Sequence, residues 1–235
     1  MVGTYSLAHQ KNAKVFLRHD VLDTWTLEEI FGLEVYDLPE PVSNVLAKRA
    51  GEVQILDLGA NIGLVSLFFS LRLAGSRGTA FEPDPTNAEL LVRLLVANDL
   101  ADRWTVVQAC AGNRLGTAHF LHSNSVVSRT VDTPSGSTVP VSVHDVLDDL
   151  GRVDLAKLDI EGAEWQILTD ARFAANAPLA IVVEYHEEQC PGGDPRALML
   201  QILVSAGYRT LEVDIPSDVR LPVGQGVVWG WREAS

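Results

Sequence analysis

Gln54-Ile55-Leu56-Asp57-Leu58-Gly59-Ala60-Asn61-Ile62-Gly63 reads as an apolar strand that ends on an acid and runs into a glycine-punctuated turn, with an apolar helical run from Leu64 behind it. Strand, tight turn and helix in that order let a ligand lie against bare backbone and a helix N-terminus, because glycine has no Cβ and accepts positive φ. Asn61, the non-glycine member, is of the type best suited to such a φ. The stretch is a nucleotide-binding turn and the first unit of an α/β fold.

Dinucleotide dehydrogenases open this turn with G-x-G-x-x-G, keeping it uncharged for a pyrophosphate. Here the first glycine position is Asp57. A carboxylate there repels a pyrophosphate but suits a cationic neighbour such as the α-ammonium of S-adenosylmethionine. An NAD-linked oxidoreductase is the alternative, and it lacks both that glycine and a recognisable hydride-handling residue.

Working outward, the order is strand, helix, strand, helix, strand: Val53–Asp57, Leu64–Leu73, Gly78–Phe81, Thr86–Ala97 and Trp104–Gln108. Such alternation implies right-handed βαβ units, a parallel sheet and helices on both faces. Asp84 and Pro85 suit the N-cap and first position of the second helix, whose Leu90, Leu91, Leu94 and Leu95 form a core stripe. Gly116–Leu121 and Val139–Val143 alternate like antiparallel strands of an insertion around residues 112–145, with a hydroxyl-rich loop, Ser123–Thr138, between them. That loop suits a mobile lid or an ordinary surface turn. Val153–Asp159 and Leu179–Tyr185 read as buried strands, Pro195–Ala206 as a helix, and Tyr208–Val213 with Val227–Trp231 as a closing pair.

Upstream, residues 1–50 read as an N-terminal cap segment over a domain spanning residues 51–235. It holds a short strand at Val15–Arg18 and an amphipathic helix at Asp23–Phe31 that Asp23 or Thr24 can cap, after which Pro39 and Pro41 break the chain. A chain of 235 residues that is 47% hydrophobic can bury one sizeable core. The net charge of −13 argues against a nucleic-acid partner. Cys110 and Cys190 form no metal-binding or disulfide pattern and read as free thiols of a cytoplasmic protein. No leader or membrane span is expected, the partner is a small-molecule substrate, and a homodimer is allowed but not demanded.

Glu82 ends the second strand nineteen residues after Gly63, where a nucleoside site places an acid on the ribose hydroxyls. The densest constellation is Asp154-Leu-Ala-Lys157-Leu-Asp159-Ile-Glu161-Gly162-Ala-Glu164. Its strand carries Lys157 and Asp159 on one face and releases Asp159 and Glu161 at the ligand edge of the sheet. Lys157 reads as a structural ion pair with Asp57, Glu184 or Asp159, and Glu164 as a first-turn acid favoured by the helix dipole. Glu184 and His186 close the fifth strand on a shared face, and His186 is either structural or in contact with substrate. His122 and His144 carry weaker claims.

Asp57-Leu-Gly-Ala-Asn-Ile-Gly63, Phe81-Glu-Pro-Asp84 and the Lys157-x-Asp-x-Glu-Gly-x-Glu164 string together resemble the FkbM family of S-adenosylmethionine-dependent methyltransferases, from about residue 14 onward. The resemblance implies a class I methyltransferase Rossmann-like fold, with a seven-stranded sheet whose last strand is antiparallel. It also implies O-methylation of a hydroxyl on a sugar, polyketide or other natural product, with methyl transfer to N or C as the alternative. Asp57, Gly59, Ala60, Asn61 and Gly63 would hold the methionine part and Glu82 the ribose. Pro83 and Cys110 would also contact the cofactor, Cys110 at the adenine wall, near which the family commonly has an alanine, and Asp159 would border it. Asp159 or His186 is the expected base, with Glu161 orienting the acceptor. Asp159, Glu161 and His186 could also offer ligands to a divalent metal, which the sequence does not require.

Overall fold

The computed structural model describes residues 2–7, 10, 12–121, 129–131, 138–214 and 224–233. The chain opens with a hairpin, β1 (Val2–Leu7) and β2 (Ala13–Arg18), followed by α1 (Asp23–Leu27), a π-helical turn at Glu28–Gly32 and α2 (Glu40–Ala47). The expected single helix over Asp23–Phe31 is thus two pieces, and neither Asp23 nor Thr24 caps it. The Asp23 carboxylate instead accepts from the Arg18 backbone N–H (2.8 Å), Nε and Nη2 (both 2.9 Å), a bidentate fork that outcompetes a cap. Nor do the prolines break the chain. Pro39 and Pro41 sit at the N-cap and the first turn of α2, where a missing N–H costs nothing.

The core follows the alternating order read above: β3 (Gln54–Leu58), α3 (Leu64–Arg72), β4 (Arg77–Phe81), α4 (Pro85–Ala97) and β5 (Trp104–Val107). After it come β6 (Cys110–Gly112), β7 (Gly116–Leu121), β8 (Arg129–Val131) and β9 (Thr138–Asp145), a separate four-stranded sheet in the order β6-β9-β7-β8. The antiparallel pairing of β7 with β9 matches the alternation seen in the sequence. The expected Ser123–Thr138 loop lies mostly outside the described residues, as does His122. The rest is α5 (Leu147–Leu150), β10 (Leu155–Leu158), α6 (Glu164–Leu168), α7 (Phe173–Asn176), β11 (Ala180–Tyr185), α8 (Pro195–Ser205), β12 (Arg209–Glu212) and β13 (Gly226–Trp231).

Seven strands form the main sheet in the order β12-β13-β11-β10-β3-β4-β5, with β13 antiparallel to both neighbours. This is the Rossmann-like class I methyltransferase arrangement. From β3 the chain moves outward to β4 and β5, and then returns to β10 on the other side. That reversal places a crevice at the carboxyl ends of β3 and β10, where open α/β sheets bind ligands.

Strand alternation divides the apolar side chains between two faces. Ile55, Leu155 and Val182 pack in one core cluster with α3, α4 and the apolar residues of β2 and α2, while Leu56, Ala156, Ile181 and Val183 pack in the other with α6 and α8. By the same period of two, Asp57, Lys157 and Glu184 share the α3 face. On that face Phe16 of β2 lies under the Arg93 guanidinium, 4.1 Å from the ring centre, and Asn98 exchanges two 2.8 Å hydrogen bonds with the Lys14 backbone. The N-terminal segment is thereby fixed against α4 and held over the crevice.

Candidate active site at the carboxyl edge of the sheet

The glycine turn is built by backbone constraints. Gly59, Asn61 and Gly63 all have positive φ, at 78°, 50° and 89°. Gly59 and Ala60 both donate their N–H to the Phe81 carbonyl, at 3.1 and 2.9 Å. A Cβ on Gly59 would collide with the Asp159 carbonyl, so glycine there lets two strand ends touch. Gly63 then begins α3 from a left-handed N-cap.

Glu82 laces this turn to the next one. Its Oε2 accepts from Asn61 N–H and its Oε1 from Asp84 N–H, both at 2.8 Å. Burial pushes the Glu82 carboxyl up to about 7 against those favourable bonds. Asp84 caps α4 as expected, accepting from Thr86 and Asn87 N–H. Cys110 is buried at the start of β6, just past the end of β5, where desolvation and the charge of Glu82 push its thiol up to about 12.

Asp57 lies deeper than the sequence suggests. It is fully buried, accepts a 2.6 Å hydrogen bond from Ser66 Oγ, and sits 3.6 Å from Lys157 Nζ. It is not among the side chains lining the cleft, because register places it opposite Lys157, which draws its charge into the sheet. Lys157 donates to the Gly59 carbonyl at 2.7 Å and reaches Asp159 at 3.2 Å. Burial works against the ammonium, but Asp159, Asp57 and Glu184 outweigh it and raise its pKa. Lys157 therefore ties the glycine turn to the Asp159 edge.

Past β10, Glu161 has a left-handed φ of 55° and Gly162 one of 95°. This sparsely populated backbone swings the Glu161 side chain back into the cleft. A Cβ on Gly162 would press on the Glu188 carbonyl at 2.7 Å, so the loop after β11 closes directly over it. Glu164, read from sequence as an ordinary helix-start acid, is fully buried and organises this corner. It accepts from Gly162 N–H (2.9 Å), His186 N–H (2.8 Å) and the His186 ring at Nδ1 (3.1 Å).

His186 is itself buried, with Nε2 3.7 Å from Glu161 and 4.0 Å from Asp159. Desolvation disfavours its cation, yet the Glu164 hydrogen bond and the charges of Asp159, Glu164 and Glu184 push it up to about 10. At neutral pH it is an imidazolium, a proton donor and counter-charge. One donor atom each from Asp159, Glu184 and His186 falls within 4.8 Å of the others. Glu184 thus stands where the sequence put Glu161 in a possible divalent-metal set.

The cleft these groups bound is open to solvent and offers ≈ 530 Å³ of empty space. Its walls are the Gly59–Ile62 turn, then Lys157, Asp159, Glu161 and Glu184, and, from the N-terminal segment, Thr26, Glu29, Ile30 and Tyr36. The Tyr36 hydroxyl donates to Glu184 at 2.8 Å, pinning the segment to β11. Glu29 and Tyr36 were invisible to spacing rules, since no motif surrounds them. Glu164 had a signal in its position two residues after a glycine that needs positive φ. His144 stands apart, paired with Asp149 at 2.9 Å and tilted against Phe81.

The family model described as the methyltransferase FkbM domain matches residues 57–210. The chain belongs to the FkbM methyltransferase family. Methyltransferase sdnD of Sordaria araneosa is 30% identical over 178 residues, 60% of this chain and 66% of that protein, so the match spans just under two thirds of that relative. A solved SAM-dependent methyltransferase from Agrobacterium tumefaciens superposes with a TM-score of 0.54 at 11% identity, covering 99% of this chain and 70% of that one. The family match displaces the oxidoreductase reading, in keeping with Asp57 at the first glycine position. It also makes S-adenosylmethionine the cofactor of this FkbM domain.

The residues present fit that molecule. Asn61 Oδ1 is buried without a hydrogen-bond partner among the described residues and lines the cleft, an acceptor awaiting a donor. Glu82 Oε2, which accepts from Asn61 N–H, still has a lone pair for a ribose hydroxyl, whereas Oε1 accepts from both Asp84 N–H and, at 3.4 Å, the Asn87 amide. Cys110 and the half-buried Pro83 could supply an apolar wall for adenine at the ends of β4 and β5. Among the described residues, no helix is long and apolar enough to cross a membrane.

Proposed function

We propose that this FkbM domain is an O-methyltransferase that methylates a hydroxyl of a small-molecule metabolite, such as a sugar, polyketide or other natural product. The observation that carries this reading is the convergence of the Gly59–Gly63 turn, the Asp159–Glu161 edge and the cap residues Glu29 and Tyr36 on one cleft. When bound, S-adenosylmethionine supplies an electrophilic methyl group, so the protein's tasks are alignment, exclusion of water and handling of one proton.

Asp159 is the proposed base. It is 28% exposed at the cleft, and Lys157 at 3.2 Å fixes its carboxylate. His186, the other sequence candidate, serves instead as the cation that orients Asp159 and Glu161, because Glu164 holds its proton. Glu161 and Glu29 present the remaining polar contacts to an acceptor. A hydroxyl is favoured over an amine because an alcohol gains about 10²- to 10⁴-fold from a positioned base, and this site provides one. The surplus of acids over cations suits a neutral or polyhydroxylated acceptor and repels anionic ones, nucleic acid included. Cys110 and Cys190, both free thiols, accord with a reducing, cytoplasmic setting.

The test is methyl transfer to a panel of hydroxylated metabolites, read by mass spectrometry, with Asp159→Asn and His186→Ala alongside the parent. A methyl ether product whose formation collapses in Asp159→Asn is expected. Transfer only to amines would refute the O-methylation reading, and unchanged turnover in Asp159→Asn would remove the base assignment.

A further inference from the structure

Helix α1 and the π-helical turn that follows it enter the cleft wall along one stripe of residues. Thr26 and Glu29 line the cleft. One turn earlier stand Leu22, four residues before Thr26, and Trp25, four before Glu29, and side chains at that spacing share a helix face. Leu22 already lies on the first turn, since its carbonyl accepts from the N–H groups of Trp25 (2.9 Å) and Thr26 (3.0 Å). Exposure falls along the stripe, from 52% at Leu22 and 46% at Trp25, through the half-buried Thr26 and Glu29, to the buried Ile30. The other tryptophans of the chain, Trp104, Trp165, Trp229 and Trp231, are all buried. Apolar side chains exposed singly are ordinary, but a leucine and a tryptophan one turn apart, continuous with a ligand cleft, form a platform at its mouth.

The depth of the cleft has the opposite character. Glu29, Asp159, Glu161 and Glu184 present carboxyls there and Tyr36 a hydroxyl, groups that suit a partner rich in hydroxyl donors. The ≈ 530 Å³ of empty space is that of a single small-molecule site, yet it must take the methionine end of the cofactor as well as the reacting group of the acceptor. The body of the acceptor therefore stays outside, against the side of the mouth that Leu22 and Trp25 form. A tryptophan ring offers it a large, flat apolar surface with little rotamer freedom to lose.

We propose that Leu22 and Trp25 are acceptor-specificity residues and that the acceptor is amphipathic, a hydroxylated ring entering the acid-lined cleft while an apolar substituent lies on the Trp25 ring. Resting on the O-methyltransferase reading above, this names the class of its acceptor. The two surfaces fix which end enters. An apolar group pushed into the cleft would leave its carboxyls without partners, whereas hydroxyls satisfy them, and only an apolar group gains by covering the tryptophan. Neither Leu22 nor Trp25 is among the residues lining the cleft where the methyl is transferred. Their removal weakens the hold on the acceptor and leaves the cofactor site as it is.

Binding of simple probes to the protein loaded with S-adenosylhomocysteine tests this without requiring turnover. The probes are octyl β-D-glucopyranoside below its micelle concentration, methyl β-D-glucopyranoside, which lacks the chain, and 1-octanol, which lacks the ring. Fluorescence reads the platform, since Trp25 is the exposed tryptophan that acrylamide can quench, and calorimetry gives the affinities. Octyl glucoside is expected to shield Trp25 from acrylamide and to bind at least about tenfold more tightly than either partial probe. Its advantage over methyl glucoside should vanish in Trp25→Ala and shrink in Leu22→Ala, with S-adenosylhomocysteine affinity unchanged in both. An advantage that survives Trp25→Ala, equal affinities of octyl glucoside and 1-octanol, or no shielding by octyl glucoside would each overturn the platform. The O-methyltransferase reading fails separately, by methyl transfer only to amines in the mass-spectrometric assay. Failure of S-adenosylhomocysteine to bind the parent would overturn the cofactor reading, and the platform with it.

Discussion

The two walls of the cleft are made differently. The wall proposed for the cofactor is backbone: positive-φ residues at Gly59 and Asn61 and their carbonyl contacts, with Gly63 and a Glu82 carboxylate spent largely on N–H groups supporting the turn from behind. The wall proposed for the acceptor is polar side chains, gathered from Glu29, Tyr36, Asp159, Glu161 and Glu184, backed by His186 and held by hydrogen bonds between segments far apart in sequence. A backbone wall tolerates almost no substitution and serves one ligand shape. A wall of side chains can be exchanged residue by residue.

Breaking the backbone wall should have the largest effect. Gly59→Ala drives a Cβ into the Asp159 carbonyl and is expected to weaken S-adenosylhomocysteine binding by more than about 100-fold while lowering the melting temperature. Calorimetry and thermal unfolding read the two losses separately. Asp159→Asn attacks the other wall. Turnover at saturating cofactor should fall ~10²- to 10⁴-fold, with S-adenosylhomocysteine affinity within a few-fold of the parent. If affinity fell as steeply as turnover, the two walls would not be functionally separate.

Smaller changes sharpen the division. Glu82→Gln keeps the shape but loses a charged acceptor, and about a tenfold weaker S-adenosylhomocysteine affinity is expected, with turnover at saturation little altered. Tyr36→Phe removes one hydrogen bond to Glu184 and should raise the acceptor KM about 2- to 10-fold without moving cofactor affinity.

The smallest effect is one of pH on the unliganded protein. Burial raises Glu29, Glu82 and Glu161 to about 7 and Glu184 to about 8 from 4.5, so the native state binds more protons than the unfolded chain between those values. Their contribution is fully present below pH 4.5 and is lost as pH climbs through 7 to 8. His186, raised to about 10, has the same sign at higher pH. The melting temperature should therefore decline from pH 5.5 to 8.5, and Glu184→Gln should flatten that decline.

The same contrast explains what the sequence made legible. Gly59, Gly63 and Gly162 announce themselves because only a few residue types accept their φ, and the strand periods of Gln54–Leu58 and Leu155–Leu158 place Lys157 beside Asp57 without any coordinates. The Lys157 ion pair with Asp57 was one of three readable alternatives, but spacing reports which face a residue takes and not that Asp57 ends fully buried beneath the cleft lining. Glu29 and Tyr36 could not be found at all, since their role depends on how the segment before β3 docks over the crevice. Glu164 looked ordinary because a helix-start acid and a buried anchor for His186 differ locally only in the positive-φ glycine two residues before it.

The claim that the Gly59–Gly63 turn and Glu82 hold a methyl donor rather than a dinucleotide is most directly tested by titrating S-adenosylhomocysteine and NAD, in turn, into the same protein preparation in a calorimeter. One-to-one binding of S-adenosylhomocysteine, weakened in Glu82→Gln, with no saturable heat from NAD is the predicted result. Saturable NAD binding in the absence of S-adenosylhomocysteine binding would contradict it.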